Sequence, residues 1–310
     1  MVTALFSAST ERWDAFKGPL EQAFEAHGLQ VNLVLEATPG EVDYIVCAPN
    51  GPVQDFSPFT KLKAVLNLWA GVEGLVDNAT LNVPLCRMVD SGLSEGMAEW
   101  VTGHVLRLHL GMDTHILGQD GVWRAGRIPP LARDRSVGIL GLGALGQACA
   151  QALCALNFPV SGWSRSPKSV DGVTCYSGDT GFEQLLCVAD ILVLLLPLTP
   201  ATHHILDATA LKALPKGAMI VNPGRGPLID DAALLAALDV GQIGQATLDV
   251  FATEPLPPEH PFWAHPRVTV TPHIASETRP STASQVIAEN IRRGEVGELL
   301  LHVVDRNAGY

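Results

Sequence analysis

The segment Gly141-Leu142-Gly143-Ala144-Leu145-Gly146 directs the interpretation of the whole chain. It follows an apolar, strand-like run at 136–140 and leads into residues 147–156, which have helical spacing. In such a unit the first glycine allows a tight turn, the second admits a pyrophosphate, and the third packs helix against strand. The helix N-terminus adds free N–H groups and a positive dipole end. The segment therefore predicts a dinucleotide site, with ligands Gly141, Gly143, Ala144, Leu145 and Gly146.

Strand-like apolar runs continue on both sides of this loop. Downstream, together with the run before the loop, they predict a six-stranded doubly wound sheet, with strands at 136–140, 159–163, 191–195, 218–221, 244–249 and 268–271. Upstream, shorter runs alternate with a helical stretch at 11–27, which indicates parallel pairing; these runs lie at 3–6, 30–35, 43–47 and 64–68.

The chain of 310 residues has room for two domains. We predict an α/β fold with two doubly wound parallel-sheet domains, a Rossmann cofactor domain and a flavodoxin-like substrate domain, separated by a cleft. The dinucleotide-binding domain is expected at 104–275. The substrate-binding domain is expected to combine 1–103 with 276–310, because both ends of the chain lie outside the glycine-loop unit.

Composition excludes several classes of protein. The formal net charge of −12 argues against general binding to nucleic acid or to anionic membranes. The most apolar run, at 191–198, is much shorter than the roughly 20 residues that cross a bilayer. Six scattered cysteines without a CxxC pair, and an N-terminus without a targeting pattern, predict a cytoplasmic protein with free thiols.

The strand at 159–163 ends in hydroxyl and cationic residues where an NAD site would carry an acidic one. Arginine and lysine bind a 2′-phosphate, which an aspartate would repel. We therefore predict NADP(H) in preference to NAD(H), bound here by Ser164, Arg165, Ser166 and Lys168. The alternative is an ordinary solvated basic turn.

Three polar residues follow successive strands of the same sheet, where carboxyl ends face a ligand crevice. Hydride transfer to a 2-keto acid needs a cation for the carboxylate and carbonyl, and Arg225 suits this because its planar fork binds two oxygens. It also needs a proton donor, predicted to be His273. A carboxylate beside a histidine raises the histidine pKa, and this role is assigned to Glu254.

Each of these residues also has an ordinary structural alternative: a surface arginine, a helix-capping histidine and a solvated glutamate before a proline. Their joint position at strand ends beside the glycine loop favours catalysis. Other histidines, at 203–204, 260 and 265, lack a cluster of cysteines or carboxylates that would complete a metal site. No metal is predicted.

These motifs resemble those of the D-isomer-specific 2-hydroxyacid dehydrogenase family over nearly the whole chain. The resemblance rests on 141–146, on Leu195-Leu196-Pro197-Leu198-Thr199-Pro200-Ala201-Thr202-His203-His204, on 221–226, on 248–255 and on Thr271-Pro272-His273. It is closest to the glyoxylate/hydroxypyruvate reductase A group, through 163–166, 254–259 and the closing residues 304–310.

The resemblance implies the same roles for Arg225, Glu254 and His273. It adds a turn whose backbone N–H groups bind the substrate carboxylate, formed by Ala70, Gly71 and Val72. It also adds cofactor contacts from Leu196, Pro197, Thr202, Pro223, Gly224 and Asp249. Family members are typically homodimers that pair through the cofactor domain, and the helix at 95–111 is the expected contributor. Glu73 and the segment 274–280 depart from the usual family pattern, which leaves the substrate size open.

The sequence thus predicts an enzyme, an NAD(P)-dependent 2-hydroxyacid dehydrogenase that reduces small 2-keto acids such as glyoxylate and hydroxypyruvate. One alternative is a dehydrogenase of the same fold acting on another small acid such as phosphite. A formate enzyme is disfavoured because glutamine would be expected at Glu254. The alternative from another class is a non-catalytic NADP(H)-sensing protein.

Overall fold

The computed structural model describes residues 1–123 and 128–310. They form two compact units, Met1–Leu93 with Glu277–Tyr310, and Ser94–Ser276. The chain passes from the first unit to the second ten residues before the predicted boundary at 103/104. It returns to the first unit one residue after the predicted boundary at 275/276. The first difference has a physical cause, because Met97 and Val101 already pack in the core of the second unit.

The first unit contains a five-stranded parallel sheet with the order β2-β1-β3-β4-β5. This is the flavodoxin-like order, as predicted. Its strands are β1 (Val2–Ser7), β2 (Val31–Val34), β3 (Tyr44–Cys47), β4 (Ala64–Asn67) and β5 (Leu85–Cys86). Its complete helices are α1 (Thr10–Ala26) and α8 (Pro280–Val296), the latter absent from the sequence prediction.

Helices α1 and α8 pack together on this sheet and bury a shared apolar core. Helix α8 is also tied to the sheet by polar contacts, since Glu295 Oε1 accepts hydrogen bonds from Tyr44 Oη at 2.8 Å and from Lys63 Nζ at 2.7 Å. A second apolar cluster, which includes Ile45 and Val65, is built on neighbouring residues of the same strands. Both ends of the chain are therefore integral to this unit.

The second unit contains a seven-stranded parallel sheet with the order β12-β11-β10-β9-β6-β7-β8. Its strands are β6 (Val137–Leu140), β7 (Val160–Ser164), β8 (Val173–Ser177), β9 (Ile191–Leu194), β10 (Ala218–Asn222), β11 (Ile243–Leu248) and β12 (Val268–Val270). The prediction of six strands was wrong by one: β8 lies at the sheet edge and is only partly buried, so it lacks a continuous apolar run.

Between α1 and α8, the described residues form six further helices: α2 (Ser91–Leu110), α3 (Met112–Leu117), α4 (Ala144–Ala155), α5 (Gly178–Val188), α6 (Ala208–Ala213) and α7 (Asp231–Asp239). Helix α2 buries Val101, Val105 and Leu108 with residues of β6 and β9. None of the helices in the described ranges is both long enough and apolar enough to span a membrane.

The strand order creates a switch point between β6 and β9. From β6 the chain winds outward through β7 and β8, then returns to β9 and winds the other way through β10, β11 and β12. Ligands of doubly wound sheets bind beyond the carboxyl ends of the strands at such a point. Because all pairings are parallel, the loops after these strands share one edge of the sheet.

Candidate active site

The glycine loop connects β6 to α4, as predicted. A Cβ atom at Gly146 would lie 1.8 Å from the carbonyl oxygen of Gly141, so only glycine fits where the helix crosses the loop. Gly143 differs, because a Cβ there would meet no protein atom within 4 Å. The side of the loop at Gly143 is therefore open space that a phosphate group fits.

The N-terminus of α4 offers donors to this space. Within the described structure, the backbone N–H groups of Leu142, Gly143, Ala144 and Leu145 donate no hydrogen bond. The positive end of the helix dipole points the same way. The loop thus has the unpaired donors and the room that a pyrophosphate requires, which fits a dinucleotide cofactor.

The residues after β7 carry cations next to this loop. Lys168 Nζ donates to the carbonyl oxygen of Leu142 at 2.8 Å, which places an ammonium group on the glycine loop. Ser164 is the last residue of β7, and its Oγ donates to the carbonyl oxygen of Ser166 at 2.8 Å. Arg165 and Ser166 are exposed. A basic turn without a carboxylate ends this strand.

The loop after β9 contains Leu196, Pro197 and Thr202, which were predicted to line the cofactor. The Thr202 hydroxyl donates to the carbonyl oxygen of Pro197 at 2.7 Å and accepts from the N–H of Thr199 at 2.8 Å. The hydroxyl of Thr202 is therefore bonded to the backbone of the turn that contains it. Leu196 is buried and Pro197 is partly exposed.

Asn222, at the end of β10, builds the turn that carries Arg225. Its Nδ2 donates to the carbonyl oxygen of Arg225 at 3.0 Å, and its Oδ1 accepts from the N–H of Gly224 at 3.1 Å. Arg225 is partly buried, and its Nη1 donates to the carbonyl oxygen of Gly224 at 2.7 Å. Pro223 and Gly224 are buried in the same turn. Asn222 belongs to the motif at 221–226, but this role was not predicted from the sequence.

The loops after β10 and β11 touch. A Cβ atom at Gly226 would lie 2.1 Å from the carbonyl carbon of Phe251, so only glycine permits this approach. The N–H of Phe251 donates to Glu254 Oε1 at 2.8 Å. The turn that carries Arg225 is thereby in contact with the loop that carries Glu254.

His273 and Glu254 are hydrogen-bonded to each other, with Nδ1 of the histidine 2.7 Å from Oε2 of the glutamate. Because Glu254 Oε1 is held by Phe251, the carboxylate presents its other oxygen to the imidazole. The His273 side chain is 50% exposed. One ring nitrogen is therefore fixed by the protein, while the ring keeps an accessible side for a reactant.

Asp249 fixes the loop after β12. Its side chain is fully buried, and its two oxygens accept hydrogen bonds from Thr271 Oγ1 at 2.6 Å and from the N–H groups of Ile274 at 2.9 Å and Ala275 at 2.8 Å. The N–H of His273 donates to the backbone oxygen of Asp249 at 2.9 Å. These bonds hold His273 in the left-handed region, with φ of 55°. The predicted cofactor contact of Asp249 stays a prediction.

A second histidine lies within electrostatic reach of Asp249. Burial lowers the pKa of His104, the charge of Arg107 lowers it further, and the charge of Asp249 opposes them. His104 is therefore neutral at pH 7, and its ring lies 4.2 Å from that of Trp100. No role for His104 was predicted from the sequence.

The predicted carboxylate-binding turn follows β4 in the first unit. Asn67 Nδ2 donates to the carbonyl oxygens of Trp69 and Gly71, at 2.8 and 2.9 Å. In the described part of the chain, the N–H groups of Ala70, Gly71 and Val72 donate no hydrogen bond. Three consecutive backbone donors are thus available to an anion.

Comparison with known proteins places this geometry among dehydrogenases. Residues 104–275 match the family model of the D-isomer specific 2-hydroxyacid dehydrogenase, NAD binding domain. A glyoxylate/hydroxypyruvate reductase A of Serratia proteamaculans (strain 568) is 43% identical over 259 residues, which cover 81% of this chain and 82% of that protein. The corresponding protein of Yersinia enterocolitica is 41% identical over 84% of this chain and 85% of its own length.

Solved structures agree with this relationship. A D-isomer specific 2-hydroxyacid dehydrogenase from Xanthobacter autotrophicus Py2, in complex with NADPH and MES, superposes with a TM-score of 0.94 at 41% identity, covering 100% of this chain and 99% of that one. An NADPH-dependent glyoxylate/hydroxypyruvate reductase from Sinorhizobium meliloti, in complex with NADP and sulfate, gives a TM-score of 0.87 at 34% identity over the full length of both chains.

Proposed function

Because the chain belongs to the D-isomer specific 2-hydroxyacid dehydrogenase family, a family of NAD(P)-dependent oxidoreductases, we propose that it reduces small 2-keto acids to 2-hydroxy acids with NADPH. The proposed substrates are glyoxylate and hydroxypyruvate, which appear in the names of its relatives. The observation that carries the proposal is the hydrogen bond between His273 and Glu254, with a half-exposed imidazole.

The open glycine loop and the basic turn support the choice of NADPH. The unpaired N–H groups at 142–145 would hold the pyrophosphate, and Arg165 and Lys168 would hold the 2′-phosphate. When bound, the cofactor supplies the hydride for reduction. The two solved relatives quoted above were crystallised with NADPH or NADP.

Proton transfer is assigned to His273. With Nδ1 facing Glu254, Nε2 is the nitrogen left to donate a proton to the oxygen of the reacting carbonyl. Glu254 fixes the ring orientation and compensates the charge of the protonated ring. Arg225 and the backbone donors of Ala70, Gly71 and Val72 are proposed to bind the substrate carboxylate, with Arg225 also polarising the carbonyl.

Homodimerisation through the second unit is part of the proposal. Large apolar side chains are exposed along α3 and the segment that follows it, including Leu117 at 80% and Trp123 at 94%. Exposed apolar side chains close together in a chain commonly mark an interface with another protein. A second copy of this unit is the partner we propose.

A cytoplasmic location is also proposed. All six cysteines are free thiols, and three of them are buried. Free thiols are typical of reducing compartments.

A panel of 2-keto acids assayed with both nucleotides tests the proposal. We expect loss of NADPH absorbance with glyoxylate and hydroxypyruvate, and a higher kcat/KM for NADPH than for NADH. A higher kcat/KM for NADH would overturn the cofactor assignment. An absence of turnover with every keto acid, together with tight NADPH binding, would favour a sensing protein, and phosphite oxidation would reassign the substrate.

A further inference from the structure

Asn67 is the last residue of β4 and stands directly before the turn of Ala70, Gly71 and Val72. It is 1% exposed, so it lies inside the first unit rather than on its surface. Its Nδ2 donates to the carbonyl oxygens of Trp69 and Gly71 at 2.8 and 2.9 Å. A single amide thus binds two alternate carbonyl groups of the turn.

Two further contacts bind backbone carbonyl groups of the same segment. The N–H of Met88 also donates to the oxygen of Trp69, at 2.9 Å. The Oγ1 of Thr278, which is 8% exposed, donates to the oxygen of Leu68 at 2.7 Å. The carbonyl oxygens of Leu68, Trp69 and Gly71 are therefore all bound within the unit.

The geometry of the peptide bond links these carbonyl groups to the free donors. In a trans peptide the C=O of one residue and the N–H of the next point in opposite directions. Holding the oxygen of Trp69 inward turns the N–H of Ala70 away from Asn67. Holding the oxygen of Gly71 does the same for the N–H of Val72. In the described structure neither N–H donates a hydrogen bond.

The orientation of the Asn67 amide is determined by these contacts. Its Oδ1 is buried and has no hydrogen-bond partner in the described residues. Rotating the amide by 180° would place Oδ1 against two carbonyl oxygens and lose both bonds. A buried acceptor without a partner is unfavourable. Asn67 therefore combines an unpaired, buried Oδ1 with an Nδ2 that binds two carbonyl groups of the turn.

We propose that Asn67 is a positioning residue for the substrate: it orients the turn so that the N–H groups of Ala70 and Val72 face the substrate carboxylate. The inference rests on the proposed function, because it assigns these donors to a 2-keto acid. Asn67 itself does not touch the substrate. Its side chain acts only through the two carbonyl groups that it binds.

Two substitutions test the inference. Asn67→Asp keeps the size of the side chain but removes both donated bonds, and Asn67→Ser shortens the side chain. We expect the KM for glyoxylate at saturating NADPH to rise about tenfold or more, with kcat within about threefold and the KM for NADPH unchanged. The Kd of oxamate, a carboxylate probe, for the NADPH-loaded protein should rise by a similar factor.

Asn290→Ser is the matched control. Asn290 is a buried asparagine of the same unit, 2% exposed, that exchanges hydrogen bonds with the backbone of Leu301. We expect it to lower Tm as the Asn67 variants do, yet to leave the KM for glyoxylate and the Kd of oxamate unchanged. The comparison of Asn290→Ser with the Asn67 variants separates a loss of protein stability from a loss of the orientation of the turn.

The outcomes distinguish this inference from the proposed function. If the unmodified protein turns over glyoxylate and both Asn67 variants keep KM and Kd within twofold of it, the inference is wrong and the proposed function stands. A fall in kcat with unchanged KM and Kd would also overturn it. If the unmodified protein neither reduces a keto acid nor binds oxamate, both are wrong. Should the aspartate variant fail to fold, the serine variant decides.

Discussion

The side chain of Arg225 belongs to a turn whose backbone is held by Asn222 on one side and limited by Gly226 on the other. A guanidinium in a fixed turn can present its fork to a carboxylate without a large loss of side-chain entropy. We therefore expect the removal of the Arg225 side chain to lower kcat/KM strongly.

Arg225→Ala should lower kcat/KM for glyoxylate about 100-fold or more, since charge-assisted bonds to the reacting group are lost, equivalent to about 3 kcal/mol. The kcat/KM of Arg225→Lys should lie between the values of the unmodified protein and of Arg225→Ala, because lysine keeps the charge but lacks the planar guanidinium. Steady-state kinetics are the measurement, with Arg133→Ala, an exposed arginine of the same unit, as the control. An unchanged kcat/KM in Arg225→Ala would remove this residue from the active site.

Glu254→Gln should lower the rate of reduction while preserving the fold. The amide keeps an oxygen for the N–H of Phe251, but it removes the carboxylate that faces Nδ1 of His273. The proton donor then loses the group that orients its ring, so kcat/KM for glyoxylate should fall about tenfold or more.

The measurement is kcat/KM for glyoxylate at one fixed pH, with Glu259→Gln, an exposed glutamate in the same loop, as the control. An unchanged kcat/KM in Glu254→Gln would show that Glu254 has only a structural role.

Among the elements, α8 shows how charged groups secure the end of the chain. Glu289 lies 2.8 Å from Arg292, 2.7 Å from Arg293 and 3.4 Å from His27, which follows α1. The hydrogen bonds from Arg292 and Arg293 lower the pKa of Glu289 to about 2. A carboxylate whose pKa is lowered by folding stabilises the native state above its ordinary pKa, and this contribution is lost as the pH falls.

Glu289→Gln should therefore lower the free energy of unfolding at pH 7 by about 1 kcal/mol or less, since the group is partly exposed. The difference from the unmodified protein should shrink between pH 4.5 and pH 2, where the glutamate becomes protonated. Urea unfolding at several pH values measures this, with Glu21→Gln, an exposed glutamate of α1, as the control. A difference that does not change with pH would contradict the assignment.

The elements also show what could be predicted from the sequence. Buried parallel strands such as β6 and β9 are continuous apolar runs, so they were found within one or two residues. The edge strand β8 mixes exposed and buried residues and was missed. Helix α8 was also missed, although Ala283, Ile287 and Ile291 repeat at helical spacing and are buried.

The candidate site was predictable only in part, because some of its contacts join residues that are far apart in the sequence. The proximity of His273 and Glu254 could be predicted because both follow strand-like runs, and a parallel sheet gathers strand ends at one edge. The bonds from Asp249 to residues 25 and 26 positions away depend on how two loops fold against each other. Asn67 acts on the backbone of its own turn, and residue type alone does not show the direction of an amide.

For the molecule as a whole, the exposed apolar side chains of the second unit predict an assembly. The unmodified protein should have twice the chain mass in light scattering, and Leu117→Glu should shift it towards the monomer because a charge would be buried in the interface. Leu299→Glu is the control, since Leu299 is 88% exposed and lies in the first unit. A protein that is monomeric at all concentrations would contradict the proposed dimer.

The turn after β4 has a consequence for protein engineering. Its unpaired donors belong to the main chain, so a change of side chain at position 70 to any residue other than proline leaves all of them in place. A library that varies Ala70 and Trp69 can therefore alter the space around a keto acid without deleting the groups proposed to recognise its carboxylate. Selection from such a library for bulkier 2-keto acids is expected to change chain-length preference while every selected variant still requires the acid function.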